Sequence, residues 1–542
     1  MTATQTDPRL LIGVDVGTGS ARAGVFTAQG QMIGTAKHPI ALHREGGVIA
    51  EQSSEDIWQA VAVSVRDAVE LAGADPEHVA GIGFDATCSL VVLGQGGVTL
   101  PVGDPAHPER NIIVWMDHRA VAQADRINAS GHRVLDYVGG RISPEMETPK
   151  LLWLKENRPE VFAQAWQFMD LTDFLTWRAS GDLSRSVCTV TCKWTYMAHE
   201  DAWDAGYFRK IGLSELADEG FERIGTAIVP AGTALGAGLS EAAARDLGLP
   251  VGTPVGAGLI DAHAGGIGSV GAKGGDGAEA NMAYVFGTSS CTMTTTAEPV
   301  FVPGVWGPYH SAMVPGLWLN EGGQSAAGAA IEALLAFHPL AAQIRAEAEA
   351  AGRSLPDRLA EEVTRRVADG VDVESLAGGL HVVPEFLGNR APFADPQARA
   401  IIAGLGMEQD FDSLVALYVA GLCGIGYGLR QIIEAQARAG ATIQRIVISG
   451  GAGRSDLVRQ LLANATGVEV AAPEAEEPVL LGAAILGSVA GGVARNIHDA
   501  MAAMSRFSTR YEPKGGAVRQ WHETRFGVFE ELQSAVRPSA KT

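Results

Sequence analysis

Two short turns rich in glycine and hydroxyl side chains are the parts of this 542-residue sequence best suited to chemistry. One is GTGS at residues 17–20, after the apolar run 10–14, and the other is GTSS at residues 287–290, after the apolar run 282–286. Glycine lets a backbone approach a phosphate group closely, and successive N–H groups in such a turn attract anions. The same turn placed twice predicts a duplicated fold that holds one polyphosphate from both sides. The pattern indicates a phosphotransferase that uses ATP.

Two aspartates stand where such chemistry needs a carboxylate. Asp15 precedes the first turn, and its charge would repel phosphate unless a cation lay between them, which favours a Mg²⁺ ligand over a turn-stabilising residue. Asp261 lies in the small and apolar sequence GAGLIDAHAG. It either orients and deprotonates an attacking hydroxyl or caps a helix that begins at Ala262. His263 is expected to be structural.

A third glycine turn, GGAG at residues 450–453, follows a predicted strand over residues 443–449 and precedes a predicted helix over residues 456–465. This turn either holds adenosine against bare backbone or makes a tight connection between strand and helix. The sequence contains no GxxxxGK[ST], HExxH or GxSxG pattern. These absences argue against a P-loop enzyme, a zinc protease of the common type and an α/β-hydrolase.

Charge and cysteine usage limit the partners and the compartment. The formal charge of −21 and the isoelectric point near 5.1 disfavour nucleic acid and anionic membranes as partners. The five cysteines are too scattered for a disulfide framework, and no second Cys or His pair lies nearby in the sequence to complete a zinc site with Cys188 and Cys192. Residues 1–8 lack the pattern of a secretory signal, and the uncharged run 478–494 is too short and glycine-rich for a membrane span. We therefore expect free thiols, a buried helix over that run and a cytoplasmic location.

The order of predicted elements indicates an α/β protein. Strands over residues 22–27 and 31–36 form a hairpin, a helix begins at Ser53 or Ser54, and further strands cover residues 79–85 and 90–93. A mixed sheet packed against helices follows from this order. The glycine-rich stretch 265–277 marks a boundary near residue 270, so we expect an N-terminal domain over residues 1–269 and a C-terminal domain over residues 270–542. Residues 340–368 are expected to form a surface helix, and the tail after Arg537 is expected to fray.

In order and spacing, the turns at residues 15–18, 287–289 and 450–451 resemble the two phosphate motifs and the adenosine motif of the FGGY carbohydrate kinases. The resemblance extends from about residue 10 to 495. It implies two ribonuclease-H-like, actin-like ATPase domains around a central cleft, with the sugar and phosphates on the N-terminal side and the nucleotide on the C-terminal side. Within the family, the sequence is most similar to the pentulose kinases of the D-ribulokinase type. The motifs that carry this similarity are GFDATCS at 83–89, WMDHR at 115–119, CKW at 192–194, NEGGQS at 320–325 and GNRAP at 388–392. Ala391 stands where that branch often has serine.

The resemblance also implies a role for each matching residue. Asp261 would be the general base and, with Asp15, would hold Mg²⁺. Charged side chains suit a polyol because they form strong hydrogen bonds with hydroxyls. The implied sugar-binding residues are Thr87, Cys88, Asp117, Lys193 and Glu321. The implied nucleotide-binding residues are Thr18, Gly19, Gly287, Thr288, Ser289, Gln324, Gly328, Gly450, Gly451 and Ser455.

Some of these assignments compete with simpler interpretations. Lys193 and Glu321 could lie on a solvated surface, and Arg119 could be a structural partner of Asp117. The expected reaction is transfer of phosphate from ATP to the C5 hydroxyl of a ketopentose, D-ribulose first. L-ribulose, ribitol, D-xylulose or a tetrulose are alternative substrates, since epimers differ by the direction of one hydroxyl. A non-metabolic actin-like ATPase and a weakly active sugar sensor are alternative classes, and a homodimer is common in the family.

Overall fold

The computed structural model describes residues 8–537, so the tail after Arg537 lies outside the described residues. The strands are β1 (Leu10–Val16), β2 (Ser20–Thr27), β3 (Met32–Pro39), β4 (His43–Glu45), β5 (Ile49–Gln52), β6 (Val79–Ala86), β7 (Leu90–Leu93), β8 (Ile112–Ile113), β9 (Gln167–Asp170), β10 (Arg185–Ser186), β11 (Ile228–Val229), β12 (Val255–Ile260), β13 (Asn281–Phe286), β14 (Ser290–Thr296), β15 (Trp306–His310), β16 (Trp318–Gly322), β17 (His381–Val383), β18 (Ile401–Ala403), β19 (Arg445–Ser449), β20 (Glu469–Pro473) and β21 (Phe507–Tyr511). The helices are α1 (Ser54–Leu71), α2 (Val121–Ala129), α3 (Glu147–Asn157), α4 (Pro159–Gln164), α5 (Leu171–Ser180), α6 (Val187–Trp194), α7 (Ala205–Ile211), α8 (Ser214–Asp218), α9 (Glu241–Leu247), α10 (Asp261–Ile267), α11 (Gly328–Ala336), α12 (Ala341–Ala350), α13 (Leu355–Ala368), α14 (Phe411–Arg438), α15 (Asp456–Thr466), α16 (Pro478–Ala490), α17 (Ile497–Met504) and α18 (Gly516–Val536).

The same arrangement of five strands occurs twice. The first sheet has the order β12-β6-β1-β2-β3, with β1, β2 and β3 antiparallel and with β6 and β12 parallel to β1. The inner strands of the seven-stranded second sheet have the order β20-β19-β13-β14-β16 and repeat these directions. The duplication predicted from the two glycine turns is therefore confirmed, since each turn joins the first two antiparallel strands of its sheet.

Both sheets are covered by apolar side chains. All residues of β1 after Leu10 are buried, as expected for a central strand with helices on both faces. A smaller antiparallel sheet with the order β4-β5-β8-β7-β9 extends the first half of the chain. The chain thus forms an α/β structure in which one mixed sheet is repeated.

Helix α16 packs against the first sheet through its backbone. A Cβ added at Gly13 of β1 would lie 2.0 Å from the carbonyl oxygen of Leu480, and one at Gly83 of β6 would lie 2.0 Å from that of Ala483. A Cβ at Gly482 would lie 1.9 Å from the carbonyl oxygen of Ala264 in α10. The helix therefore approaches the sheet more closely than any side chain would allow. Helix α16, which lies beyond residue 270, therefore covers a sheet formed by residues before 270. The domain boundary near residue 270 stays a prediction, and contacts between the two parts of the chain cross it.

Two helices differ in informative ways from the sequence expectations. Residues 340–368 form two helices, α12 and α13, because Gly352 adopts φ 71° and Ser354 begins a new helix with a capping box to Asp357. The buried helix expected over 478–494 is confirmed, although it ends at Ala490. Helix α14 is long and apolar enough to span a membrane, but 83% of its most apolar window is buried inside the protein, which is typical of a core helix.

Candidate active site

Three aspartates meet at the carboxyl ends of neighbouring strands in the first sheet. Asp15 on β1 lies opposite Asp85 on β6 in parallel register, and Asp261 follows β12, which pairs with β6. Asp15 contacts the guanidinium group of Arg22, and Arg22 also donates to Glu477 at 2.8 Å. Both oxygens of Asp85 are buried and receive no hydrogen bond within the described residues. Sequence reasoning proposed Asp15 and Asp261 but gave no role to Asp85, although its motif was noted.

Burial and neighbouring negative charges disfavour ionisation within this group of carboxyls. Burial raises the pKa of Asp85 well above its ordinary value, and the charges of Asp15 and Asp261 raise it further. Burial also raises the pKa of Asp15, in spite of Arg22. Burial and the charge of Asp15 raise the pKa of Asp261 to about 6. Adjacent buried carboxylates are costly unless a cation neutralises them, so this donor set fits a hard divalent cation such as Mg²⁺.

Each of the two glycine turns is closed by a hydrogen bond from the amide of its first glycine, although the first bond spans three residues and the second spans two. The amide of Gly17 donates to the carbonyl of Ser20 at 3.0 Å, and the amide of Gly287 donates to the carbonyl of Ser289 at 3.0 Å. A side chain from a distant part of the sequence holds the first turn, because the indole N–H of Trp115 donates to Thr18 Oγ1 at 3.0 Å. Gly19 faces open space, since no heavy atom of residues 8–537 lies within 4 Å of an added Cβ. The turns thus leave bare backbone available to an anionic ligand.

A cavity of about 930 Å³ lies beside the second turn. Five of the predicted nucleotide-binding residues line it, namely Gly287, Thr288, Gly328, Gly451 and Ser455. Its apolar wall includes Ile331, Tyr418, Leu422 and Val458. A large and mainly apolar cavity with a few backbone and hydroxyl groups suits a nucleobase and ribose next to a phosphate turn.

The other predicted nucleotide-binding residues lie outside the lining of this cavity. The carbonyl of Ser289 accepts the hydrogen bond that closes the second turn. Gly450 follows β19 and adopts φ 89°, and a Cβ added there would lie 2.6 Å from the carbonyl oxygen of Phe286. The side chain of Gln324 accepts hydrogen bonds from Tyr284 and Ser290 at 3.2 Å and donates to Ile425 at 3.1 Å. This geometry supports an internal role for Gln324 and does not support a direct contact with nucleotide.

A second polar pocket forms around Lys193 and Glu321. The Nζ atom of Lys193 lies 5.8 Å from the ring centre of Trp306 and makes no hydrogen bond within the described residues. Burial disfavours its ammonium, but neighbouring negative groups, Glu321 among them, hold the pKa of Lys193 well above its ordinary value. Glu321 is 6% exposed, and its Oε2 has no partner among the described residues. The ammonium group of Lys193 and the Oε2 atom of Glu321 are thus a donor and an acceptor that suit the hydroxyls of a polyol.

His263 holds the other oxygen of Glu321. Its Nε2 lies 2.7 Å from Glu321 Oε1, and its Nδ1 lies 3.0 Å from the sulfur of Cys188. Burial disfavours the charged forms of both His263 and Glu321. Even so, Cys188 and Glu321 raise the pKa of His263 to about 10. In turn, His263 and Lys193 help to lower the pKa of Glu321 to about 2. Sequence reasoning expected a structural histidine, and only the structure gives it these partners.

The three remaining predicted sugar-binding residues differ in what their contacts allow. Thr87 is buried, with its hydroxyl 3.3 Å from that of Ser89. Cys88 is partly buried, and burial raises its pKa to about 12, so it is a neutral thiol. Both oxygens of Asp117 are already used: Oδ1 accepts from the backbone amide and Nε of Arg119, and Oδ2 accepts from the Ala50 amide and a terminal guanidinium nitrogen of Arg119. Asp117 is therefore a structural partner of Arg119, and this geometry does not support a contact with sugar.

Two further charged residues near this pocket received no role in the sequence interpretation. The guanidinium group of Arg390 lies 5.6 Å from the ring centre of Trp306, on which Lys193 also lies. The charges of Lys193 and Arg390 help to lower the pKa of Glu145, although its burial opposes this. Arg390 belongs to the GNRAP string, so the signal was present in the sequence, but only the fold places it beside Trp306.

Comparison with known proteins gives the class of this chain. The model of the FGGY family of carbohydrate kinases, N-terminal domain, matches residues 10–268, and the model of the C-terminal domain matches residues 282–491. The chain therefore belongs to the FGGY family of carbohydrate kinases, enzymes that use ATP as a substrate. Its fold resembles that of a xylulose kinase from Lactobacillus acidophilus, with a TM-score of 0.80, 20% identity and coverage of 98% of this chain and 99% of that one. This fold is the actin-like ATPase fold expected from the sequence.

Two relatives refine the comparison. An "FGGY carbohydrate kinase domain-containing protein" of Danio rerio is 45% identical over 530 residues and covers 96% of each chain. A D-ribulokinase of Saccharomyces cerevisiae is 39% identical over 515 residues, covering 89% of this chain and 72% of the relative. The chain is thus a carbohydrate kinase similar to ribulokinases.

Proposed function

We propose that this kinase transfers the γ-phosphate of ATP to the C5 hydroxyl of a ketopentose, with D-ribulose as the first candidate. The observation that carries the proposal is the polar pocket, in which the unpartnered Oε2 of Glu321 and the unbonded ammonium of Lys193 lie near Asp261. The charge of Lys193 acts on both Asp261 and Glu321. An acceptor, a donor and a base around one space suit a small polyol. The similarity to a D-ribulokinase supports the choice of the first sugar.

Each residue of the pocket has a distinct task in this proposal. Lys193 donates to sugar hydroxyls, and Glu321 accepts from one. Asp261 accepts the proton of the attacking hydroxyl, whose oxygen then attacks the γ-phosphorus in line with the departing oxygen of ADP. Thr87 and Cys88 line the sugar side. Because Glu321 is buried and Lys193 is partly buried, the pocket also keeps water from the reacting phosphate, which limits wasteful hydrolysis of ATP.

The nucleotide would lie between the two glycine turns. Backbone amides near Thr18 and Gly19, and near Thr288 and Ser289, would hold the β- and γ-phosphates. Residues Gly328, Gly451 and Ser455 would lie along the adenosine in the 930 Å³ cavity. Asp15, Asp85 and Asp261 are the residues that would hold Mg²⁺, directly or through water. When bound, that ion neutralises developing charge on the phosphate oxygens.

The proposal is tested by ADP release with Mg²⁺ and ATP across D-ribulose, L-ribulose, D-xylulose, ribitol, erythrulose and glycerol, with a blank that lacks sugar. One ketopentose is expected to raise the rate far above the blank, and mass spectrometry of its product is expected to find a 5-phosphate. Equal ATP consumption with every sugar and with the blank would overturn the proposal and favour a switch ATPase.

The raised pKa of Asp261 predicts an acid limb in the pH profile. The base must be ionised to accept a proton, and its pKa is about 6. The value of kcat/KM for the sugar is therefore expected to be level above neutrality and to fall about tenfold per pH unit well below pH 6. Circular dichroism at each pH and recovery of activity on return to pH 7.5 distinguish titration from unfolding. A level profile between pH 5 and 7 would argue against Asp261 as the base.

Replacement of Lys193 by methionine tests the sugar pocket. The variant keeps the length of the side chain but removes a charged donor, which contributes about 1.5–3 kcal/mol in a hydrogen bond. We expect kcat/KM for the sugar to fall about 10- to 100-fold, while KM for ATP is unchanged. Lys210→Met, at an exposed position, is the matched control. An unchanged KM for the sugar would remove Lys193 from the pocket.

A further inference from the structure

A cluster of two cysteines and a histidine lies behind the polar pocket, and the proposed reaction assigns it no step. The sulfurs of Cys188 and Cys192 and one ring nitrogen of His263 all lie within 4.8 Å of one another. All three side chains have 0% exposure. The sequence alone did not predict this group, because His263 is far from the cysteines along the chain and only the fold brings α10 against α6.

The ligand types and their placement match a site for a thiophilic cation. Cys188 and Cys192 are four residues apart on α6, so their side chains lie on the same face of the helix. Tetrahedral zinc has bonds of about 2.3 Å to sulfur and about 2.0–2.1 Å to nitrogen, so its ligand atoms lie about 3.5–3.8 Å apart, and small side-chain movements would bring the three atoms here to those distances. Two cysteines and one histidine form one of the known three-ligand zinc sets.

The surroundings of the cluster already have the features of a second shell. Histidine ligands of metals usually donate their other ring N–H to a carboxylate, and His263 Nε2 lies 2.7 Å from Glu321 Oε1. That contact directs Nδ1 toward Cys188. The backbone amide of Ile260 donates to the Cys188 sulfur at 3.4 Å, as an amide does to a metal-bound thiolate. These groups orient two of the three donors without a metal, so binding would need little rearrangement.

We propose that Cys188, Cys192 and His263 form a binding site for one Zn²⁺ ion, oriented by Glu321. Binding displaces two protons into solvent, that of the Cys192 thiol and the one that Cys188 Sγ and His263 Nδ1 share, and forms two Zn–S bonds and one Zn–N bond. The ion joins α6 to α10 and, through Glu321, to β16. Because the donors are fully buried, loading occurs as the chain folds. This site is separate from the carboxylate cluster, whose oxygen donors suit Mg²⁺, and it does not depend on which sugar is used.

The experiment measures metal bound to the full-length protein produced in zinc-supplemented medium, and to the same protein refolded with Zn²⁺ alone. Elemental analysis after dialysis is expected to find one zinc per chain in the unmodified protein. Cys188→Ser and Cys192→Ser are expected to lose it. Cys423→Ser, which alters a buried cysteine on α14 in the other half of the chain, is the matched control and is expected to keep it. Glu321→Gln is expected to weaken zinc binding about 10- to 100-fold.

Replacement of zinc by Co²⁺ during refolding gives a measurement that needs no variant. Cobalt bound to thiolates is expected to show charge-transfer absorption in the near ultraviolet, and its absence would overturn the proposal. So would the absence of zinc from the unmodified protein, or an equal loss of zinc in Cys423→Ser. Circular dichroism shows whether Cys188→Ser folds. If it does not, the cobalt spectrum of the unmodified protein still decides the question.

Discussion

Replacement of Asp261 by asparagine is expected to lower kcat by about 10²- to 10⁴-fold, the usual contribution of a general base, while nucleotide binding is retained. The amide keeps the shape of the side chain, including the hydrogen bond that Oδ1 accepts from the Ala262 amide at 2.7 Å. It cannot accept the proton of a hydroxyl. It also removes one of the two negative charges, those of Asp15 and Asp261, that oppose ionisation of Asp85. The loss is therefore expected in turnover and not in folding.

The measurement is ADP release at saturating ATP and sugar, with nucleotide affinity followed separately by calorimetry. Asp125→Asn changes an exposed aspartate on α2 and serves as the matched control, with turnover expected to stay at the level of the unmodified enzyme. If Asp261→Asn turned over at a nearly normal rate, Asp261 would not be the base. If it lost nucleotide affinity as well, Asp261 would act mainly through the cation that the cluster holds.

The largest effect on stability is expected from Gly482→Ala in α16. The added Cβ would lie 1.9 Å from the carbonyl oxygen of Ala264, a backbone atom that cannot move without shifting α10. Overpacking of a core costs about 1–3 kcal/mol and occasionally more, and a clash with backbone falls at the upper end of that range. Since α10 begins with Asp261, a shift would also misplace the proposed base. We expect about 3 kcal/mol of lost stability together with lower activity.

Gly527→Ala gives the contrast, because Gly527 also lies inside a helix but, in the part of the chain that the structure describes, no heavy atom lies within 4 Å of an added Cβ. Alanine in the middle of a helix stabilises a protein by about 0.5–1 kcal/mol relative to glycine. The midpoint of thermal unfolding is therefore expected to fall in Gly482→Ala and to rise slightly in Gly527→Ala. Equal midpoints for the two variants would mean that α16 can move away from α10 at little cost.

The parts of the fold and site that follow from local patterns were predictable from the sequence. Each glycine turn follows a continuous apolar strand, so the repeated strand-turn-strand unit needed no knowledge of distant contacts. Asp15 stood out because it precedes a glycine turn suited to phosphate, and Asp261 because it is a carboxylate within a small and apolar sequence. The apolar helix α16 stood out because it has no charged residue. These features depend on neighbours within a few residues.

The features that were missed depend on contacts between distant segments. Asp85 has no unusual neighbour in sequence, and its importance comes from its pairing with Asp15 across two strands. The protein partners of Gln324 were also not foreseen, those of Asp117 only in part, and the ligand contacts that both motifs imply stay predictions. Spacing along the chain could not distinguish a polar side chain that faces a ligand from one that faces its own fold. The single helix expected over 340–368 is wrong for a local reason, because Gly352 adopts a positive φ that ends α12 before α13 begins.

The contact between α16 and the first sheet also has a consequence for how the protein is made on the ribosome. Arg22 of β2 donates to Glu477, just before α16, across a sequence separation of 455 residues. Until that segment emerges, one face of the first sheet is bare, and such exposed apolar surface favours aggregation. Nearly the whole chain must therefore be translated before α16 can cover the first sheet. A fragment that stops at residue 269 is expected to need a chaperone to stay in solution.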